Sequence, residues 1–265
     1  MPEVDNDGVR ISYRDEGEGR PVLLLHGHTF DGRVFDDLVP QLREAGLRMI
    51  RPDLRGHGSS DRPETGYHPS HHAGDMRRVL DDAGVSRTDV VGYSVGGAVA
   101  LELILAAPEM VGRLVLLSPV LPDRPFEDAF MDSLRQVART VREAGVRKAM
   151  LGPWLESPLF ASSLRTPGVR EKVERIVVDF PGAEYLATER DRVDRTWSVP
   201  ERLGEIEAPA LVVVGSDEMA GFRGYADEIA REISDSRLEV LEGRGHLHLL
   251  EVPDDVGTLI CDHLA

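Results

Sequence analysis

The chain is poor in the residues that would assign it to several classes of protein. It has one cysteine, Cys261, in 265 residues, which excludes an internal disulfide and favours a reducing compartment. Its basic residues are outnumbered, because 31 lysines and arginines face 47 acidic residues and leave a net charge of -16. Nucleic acids and anionic membranes bind positively charged surfaces, so we expect neither as a partner.

Long hydrophobic runs and phosphate-binding loops are also missing. No segment approaches the roughly 18 consecutive apolar residues of a membrane span, and the first residues lack the basic and apolar regions of a signal peptide. The glycine patterns G-x-x-x-x-G-K-[ST] and G-x-G-x-x-G, which bind phosphates, do not follow the first predicted strand. We therefore expect a cytoplasmic protein that needs no cofactor.

What the chain does have is a regular alternation of short apolar segments and helical patterns. An Asn6-Asp7-Gly8 turn opens the series. The pattern predicts strands at 9–13, 22–25, 47–51, 89–93 and 113–117, and helices at 35–44, 74–83 and 97–107. Such alternation predicts an α/β fold, with a mostly parallel sheet covered by helices on both faces.

The alternation stops between residues 120 and 204. Helical patterns broken by prolines replace it, at 126–131, 134–144 and 169–178. We interpret this stretch as a helical cap inserted into a core formed by residues 1–119 and 205–265. A cap excludes water and shapes a pocket. Phe126 and Trp154 of the cap, with Phe30 of the core, are the candidate pocket residues, although most cap aromatics are expected to form the cap's own core.

The most informative motif is Gly92-Tyr93-Ser94-Val95-Gly96, between the predicted strand at 89–93 and the helix after it. A tight strand-to-helix turn holds its central residue in a strained conformation and presents that side chain beside a helix N-terminus. Only small residues fit at the two glycine positions. Ser94 is therefore the candidate nucleophile.

A serine hydroxyl needs a base at neutral pH, and histidine is the usual one. Of the nine histidines, His246 stands apart because it follows a strand pattern and a glycine loop, Gly243-Arg244-Gly245. His68, His71 and His72 have no common metal-ligand spacing and no cysteine nearby, so we expect no metal site. His246 is the candidate base.

Several segments together resemble the α/β-hydrolase superfamily, in its branch of esterases, lactonases and C–C hydrolases with a helical cap. The resemblance rests on VLLLHGH at 22–28, RPDLRGHGS at 51–59, GYSVGG at 92–97, LVVVG at 211–215 and GRGHLHLL at 243–250. It implies the α/β-hydrolase fold and the chain order nucleophile, acid, histidine. It also implies an oxyanion hole formed by the backbone N–H groups of His28 and Val95, with no role expected for the His28 ring.

The same resemblance implies an acid after the strand at 211–215, and three carboxylates compete for that role. The family position, three residues after Gly215, holds Glu218, which is our first choice. Asp217 lies one residue earlier and stays open, and Asp123, after the strand at 113–117, is a remoter third choice.

The predicted function is that of a serine hydrolase that cleaves a small, fairly apolar carboxylic ester or lactone through an acyl-enzyme on Ser94. The partner is then a small molecule, and the reaction falls in the class of carboxylic ester hydrolases. The same residues would also suit C–C bond hydrolysis or cofactor-free perhydrolysis. A ligand receptor of the same fold, with little turnover, is the alternative outside the enzymes.

Overall fold

An eight-stranded sheet runs through the centre of the protein in the computed structural model, which describes residues 1–187 and 197–265. The strands are β1 (Glu3–Asn6), β2 (Val9–Glu16), β3 (Arg20–Leu25), β4 (Leu47–Pro52), β5 (Thr88–Tyr93), β6 (Val111–Leu117), β7 (Ala210–Gly215) and β8 (Ser236–Leu241). Their order across the sheet is β1-β2-β4-β3-β5-β6-β7-β8. Among these eight strands, β2 pairs antiparallel with β1 and with β4, and the other neighbouring pairs are parallel.

The central strands are buried on both faces. Every residue of β5 and of β7 is buried, although successive side chains point to opposite sides of a sheet. Both faces must therefore be covered, which is the usual situation of a parallel sheet. The predicted fold class, a mostly parallel sheet with helices on both faces, is confirmed.

Helices follow most strands and cover the sheet. Those of the two core segments are α1 (Val39–Glu44), α2 (Pro69–Asp82), α3 (Val95–Ala106), α9 (Ala220–Glu232), α10 (His248–Glu251) and α11 (Pro253–Leu264). Helix α1 packs against α11, α2 packs against α3, and α9 lies beside β7 and β8. Short 3-10 turns occur at Gly32–Phe35, Pro108–Met110, Pro158–Phe160, Ser163–Arg165 and Leu203–Glu205.

The described residues between β6 and β7 form helices and no strand. The helices are α4 (Asp128–Ala144), α5 (Val146–Ala149), α6 (Val169–Val177), α7 (Ala183–Leu186) and α8 (Val199–Arg202), with a π-helical turn at Met150–Trp154. Residues 188–196 of the predicted cap lie outside the described residues. The domain limits at 119 and 205 stay predictions, and we use "cap" for the described part of 120–204.

Two predicted helices of the core begin four or five residues from the position that the sequence pattern indicated. The helix predicted at 35–44 is a 3-10 turn capped by Asp31, followed by α1 from Val39, where Pro40 lies at the helix start. Helix α2 begins five residues before the predicted Gly74, because His68 caps it and Pro69 suits its first turn.

The helices of the cap also differ from those that the sequence pattern predicts in one respect. The helices predicted at 126–131 and 134–144 are a single helix, α4, whose buried face carries Phe130, Val137 and Val141. Asp132 and Ser133, which lie between the two predicted helices, have a lower helix propensity, but neither residue stops a helix whose apolar face is packed.

Candidate active site

Ser94 lies at the sharp turn between β5 and α3. Its backbone has φ 54° and ψ -116°, a conformation that non-glycine residues rarely adopt and that stores strain. The turn needs glycine on both sides of it. A Cβ on Gly92 would lie 2.5 Å from the Gly96 carbonyl oxygen, and a Cβ on Gly96 would lie 2.1 Å from that of Leu25. The crowded turn therefore aims Ser94 outward at the carboxyl end of the sheet.

His246 lies in the loop between β8 and α10 and faces the serine. Its Nε2 is 3.0 Å from the Ser94 Oγ, and its ring is almost fully buried, with 1 % of its surface exposed. The Tyr93 and Phe222 rings pack beside it, with centroids 5.3 and 4.7 Å away. The two hydrogen-bonding groups are thus held together in an enclosed, water-poor place.

Glu218, in the loop after β7, completes a chain of hydrogen bonds. Its Oε2 lies 2.7 Å from the His246 Nδ1, and its other oxygen accepts the Met219 N–H at 3.0 Å. With the proton on Nδ1 donated to Glu218, the neutral ring leaves Nε2 free to accept the Ser94 hydroxyl proton. This arrangement can abstract a proton from the serine and stabilise the imidazolium that results.

The two other candidate acids have different partners. Asp217 lies near the surface, where its Oδ2 accepts a hydrogen bond of 3.2 Å from Ser162 of the cap. Asp123 accepts the Val199 N–H at 3.0 Å with its Oδ2. Neither carboxylate is hydrogen-bonded to His246, whereas Glu218 is.

The candidate oxyanion donors flank the serine. Val95 is the first residue of α3, and His28 follows β3; both line the same cavity as Ser94. The N-terminus of α3 directs unpaired N–H groups and a partial positive charge toward this end of the cavity. The arrangement suits an anion that forms beside Ser94.

The His28 ring, for which the sequence suggested no role, forms part of the cavity wall. Its Nε2 lies 2.8 Å from the Tyr185 hydroxyl, and its Nδ1 lies 2.7 Å from a Glu184 carboxylate oxygen. Burial, with a smaller contribution from the neighbouring His26, lowers the pKa of His28 to about 3. A neutral ring suits both contacts, because one nitrogen can accept from Tyr185 while the other carries a hydrogen toward Glu184.

The cavity above Ser94 has a volume of about 350 Å³ and is mainly apolar. The predicted pocket residues Phe30, Phe126 and Trp154 all line it. The structure adds further apolar side chains that the sequence did not single out: Tyr93, Val120, Phe130, Leu134, Leu159, Phe160 and Phe222. Among the described residues that line it, Glu184 is the only acidic one, and none is lysine or arginine.

Residues 22–258 match the model of the alpha/beta hydrolase family. The chain belongs to that family. Among solved structures, the N-acyl homoserine lactone degrading enzyme Est816 is 30% identical, with 98% of each chain covered and a TM-score of 0.78. An esterase from Exiguobacterium antarcticum has 24% identity, 99% coverage of each chain and a TM-score of 0.84. A 2-hydroxy-6-oxo-6-phenylhexa-2,4-dienoate hydrolase of Comamonas testosteroni is 26% identical over 100% of this chain and 94% of its own.

The sequence of this α/β-hydrolase could have indicated some of the cavity residues that were not predicted, because their spacing places them near predicted ones. Phe130 and Leu134 are four residues apart, so they lie on one face of α4 next to Phe126. Phe222, on α9, follows the acid loop by four residues, close enough to reach the same cavity. Glu184 and Tyr185 had no such signal, because their contact with His28 spans more than 150 residues of sequence.

Two of the histidines considered for a metal make local contacts. His68 caps α2 by accepting the Ser70 N–H, and the His72 Nε2 lies 3.2 Å from the Tyr67 carbonyl oxygen. Residues 1–187 and 197–265 contain no group of three or more histidine, cysteine or acidic side chains arranged to hold a metal ion. Over the same residues, no helix is long and apolar enough to cross a membrane.

Proposed function

We propose that this hydrolase cleaves a small, fairly apolar carboxylic ester or lactone through an acyl-enzyme on Ser94. The observation that carries the proposal is the unbroken series of hydrogen bonds from Ser94 through His246 to Glu218, which ends in an apolar cavity. A nucleophile, a base and an orienting acid in this relation are the parts that acyl transfer requires.

In the first half of the reaction, the Ser94 Oγ attacks the carbonyl carbon and its proton passes to the His246 Nε2. The carbonyl oxygen becomes an oxyanion, which the backbone N–H groups of Val95 and His28 stabilise; each such donor contributes about 3 kcal/mol. The intermediate then collapses. The alcohol leaves with the proton from His246, and the acyl group stays on Ser94.

In the second half, water replaces the alcohol. His246 takes a proton from the water, the resulting hydroxide attacks the acyl carbon, and collapse returns the proton to Ser94 as the acid leaves. With a lactone, the leaving alcohol belongs to the acyl group, so the product is one hydroxy acid. No step requires a cofactor.

The cavity wall favours neutral substrates. The aromatic and aliphatic side chains suit an apolar acyl or alcohol group, and the described wall offers Glu184 but no lysine or arginine to a carboxylate. A carboxylate-bearing substrate, such as the dienoate named for the Comamonas relative, would be desolvated there without a cation. The relation to a lactone-degrading enzyme at 30% identity supports the lactone as much as the ester.

A substrate panel tests the proposal. It compares p-nitrophenyl esters of increasing acyl length, neutral lactones with and without an N-acyl group, and the p-nitrophenyl half-ester of succinate. We expect kcat/KM for neutral esters or lactones to exceed that for the half-ester at least about 10-fold, as expected when a charge must be desolvated. The Ser94→Ala variant should be inactive on every member.

Three outcomes would contradict the proposal. Faster cleavage of a vinylogous 1,5-diketone acid than of any ester would make the protein a C–C hydrolase. Peracid formation that outpaces hydrolysis would make it a perhydrolase. A single burst of p-nitrophenol without turnover would favour a receptor.

A further inference from the structure

The backbone of His246 is held from both sides. The Gly245 N–H donates to the Glu251 Oε1 at 3.1 Å, and the Leu247 N–H donates to the Ser163 Oγ at 3.0 Å. The two acceptors are themselves joined, because the Ser163 hydroxyl donates to the same Glu251 oxygen at 2.6 Å. The hydrogen bonds form a bridge across His246, which we call the histidine clamp: Gly245 N–H, Glu251, Ser163 and Leu247 N–H.

The two side chains of the clamp come from different parts of the molecule. Glu251 ends α10, five residues after His246, whereas Ser163 is a fully buried residue of the cap. Thr166 adds a second cap hydroxyl, 3.3 Å from the Glu251 Oε2. The loop that carries the candidate base is thus hydrogen-bonded to the element that covers the pocket.

The cap approaches the histidine loop so closely that the loop has no room for a side chain there. A Cβ on Gly245 would lie 2.7 Å from the Ser163 Oγ and 3.0 Å from the Ser162 Cβ. The clamp therefore requires glycine at position 245, since any larger residue would collide with the cap.

The neighbouring cap residue makes a weaker contact with the acid loop. The Ser162 hydroxyl and the Arg165 guanidinium approach the Asp217 Oδ2 at 3.2 and 3.4 Å. Arg165 and Asp217 are exposed and Ser162 is half-buried. Polar pairs at such exposed sites contribute little to stability. Ser162 thus offers a matched comparison: a hydroxyl one residue from Ser163, on the same cap turn, but outside the clamp.

We propose that Ser163 and Glu251 are positioning residues that hold His246 at hydrogen-bonding distance from Ser94. The inference rests on the proposed role of His246 as the base. In this account the cap orients the base as well as forming the pocket wall. Removing either side chain leaves a buried N–H without its acceptor and releases one side of the loop. A base displaced by about 1 Å costs on the order of 100-fold in rate.

The clamp needs hydrogen-bond acceptors rather than a negative charge. In Glu251→Gln, the amide oxygen can still accept from both Gly245 and Ser163, and the amide N–H₂ can donate to the Thr166 hydroxyl. Glu251→Ala removes both the acceptor for Gly245 and Ser163 and the contact with Thr166. The pair therefore separates a positioning hydrogen bond from an electrostatic effect.

Steady-state kinetics with p-nitrophenyl acetate test the proposal, because this small ester depends little on the pocket walls. In Ser163→Ala and Glu251→Ala we expect kcat to fall about 10- to 100-fold with KM nearly unchanged. Glu251→Gln and the control Ser162→Ala should stay within about threefold of wild type. The double alanine variant should be no worse than the poorer single one, because both changes open the same clamp.

A second measurement does not depend on turnover. The proton between His246 Nδ1 and Glu218 should give a low-field resonance in the proton NMR spectrum of the wild-type protein. We expect that resonance to broaden or vanish in Ser163→Ala and to persist in Ser162→Ala. If the wild type hydrolyses no ester yet the resonance responds in this way, the proposed function fails and the clamp stands.

Several results would overturn the clamp. An unchanged kcat with a raised KM in Ser163→Ala would make Ser163 a pocket residue only. Equal losses in Ser162→Ala and Ser163→Ala would indicate general damage to the cap. Loss in Glu251→Gln as large as in Glu251→Ala would assign the effect to charge. Circular dichroism shows which variants are folded, and the near-isosteric Glu251→Gln keeps the comparison open if an alanine variant unfolds.

Discussion

The carboxyl end of the sheet and the cap meet at one cavity, but their residues are held in different ways. Ser94 directly follows β5, Glu218 lies three residues after β7, and the loop after β8 carries His246. Hydrogen bonds of 2.7 and 3.0 Å join the three side chains. The cap contributes Phe130, Phe160 and other side chains that pack through apolar contacts. Apolar packing tolerates exchange of similar shapes, whereas a chain of hydrogen bonds does not. The sheet end should therefore determine whether the reaction occurs, and the apolar wall that the cap contributes should determine which substrate reacts. Ser163 is the exception in the cap, because it belongs to the histidine clamp.

The largest effect should follow removal of the base at the sheet end. His246→Ala deprives Ser94 of its proton acceptor, so we expect kcat to fall on the order of 10⁵-fold in ester hydrolysis. His248, two residues away, is the matched control: it is fully buried, and its ring nitrogens have no hydrogen-bonding partner among the described residues. His248→Ala and His248→Leu should keep a large share of the activity. A dead His248 variant beside an active His246 variant would contradict the assignment.

The second effect separates the two neighbouring carboxylates of the acid loop. Glu218→Gln should lower kcat on the order of 10⁴-fold, because the amide cannot hold His246 in the required tautomer or stabilise its cation. Asp217→Asn should cost little, since Asp217 contacts the cap instead. Glu218→Asp should fall between them, because it keeps the charge but loses reach. A nearly inactive Asp217→Asn with an active Glu218→Gln would reverse the assignment, and activity in both would direct attention to Asp123.

The third effect should appear in selectivity. Leu134→Trp adds volume to the cavity wall, so we expect the ratio of octanoate to acetate hydrolysis to fall about 10-fold, the equivalent of about two buried methylene groups. The rate on p-nitrophenyl acetate should change less. Leu151→Trp is the control, because Leu151 lies in the cap but is exposed and away from the cavity. Identical acyl preferences in the two variants would assign the selectivity to another region.

The smallest effect is the loss of folding stability in acid that His248 causes. Burial and the neighbouring His246 lower the pKa of His248 from 6.5 in a free side chain to about 3. Between these values unfolding takes up a proton, so the His248 contribution to stability is present above pH 6.5 and is lost as the pH falls toward 3. His248→Leu removes this dependence. Between pH 6 and pH 4.5, wild type should lose about 2 kcal/mol more unfolding free energy than the variant in urea titrations. Parallel losses would show that His248 does not titrate on unfolding.

Local patterns in the sequence predicted most strands of the sheet but not β1, and not every helix boundary. Alternating apolar runs were enough for the parallel strands, because residues such as those of β5 and β7 must be buried on both faces. The boundaries of α1 and α2 depended on the caps at Asp31 and His68 and on the prolines that follow. Such caps have a recognisable composition, but the apolar periodicity does not reveal them.

The candidate site likewise contains residues that the sequence could single out and residues that it could not. Ser94 could be singled out because the crowded turn requires small residues at 92 and 96, and this requirement is visible in the sequence next to Ser94. His246 could be singled out by the strand pattern and the glycine loop before it, whereas Glu218 needed the family resemblance. Asp217 stayed open because sequence spacing does not show which carboxylate turns inward. The contacts of Ser163 with Glu251 and of His28 with Tyr185 join residues 88 and 157 positions apart. Only the folded chain brings such residues together, and no local pattern predicts them.

The most direct test of the account is to trap the acyl-enzyme. The protein is mixed with excess p-nitrophenyl butyrate, quenched in acid during turnover, digested and analysed by mass spectrometry. We predict one butyryl group per protein, on the peptide that contains Ser94, with stronger accumulation in Glu218→Gln if deacylation slows more than acylation, and none in Ser94→Ala. A butyryl group on another residue, or its formation in Ser94→Ala at the wild-type rate, would contradict the central claim that Ser94 is the nucleophile.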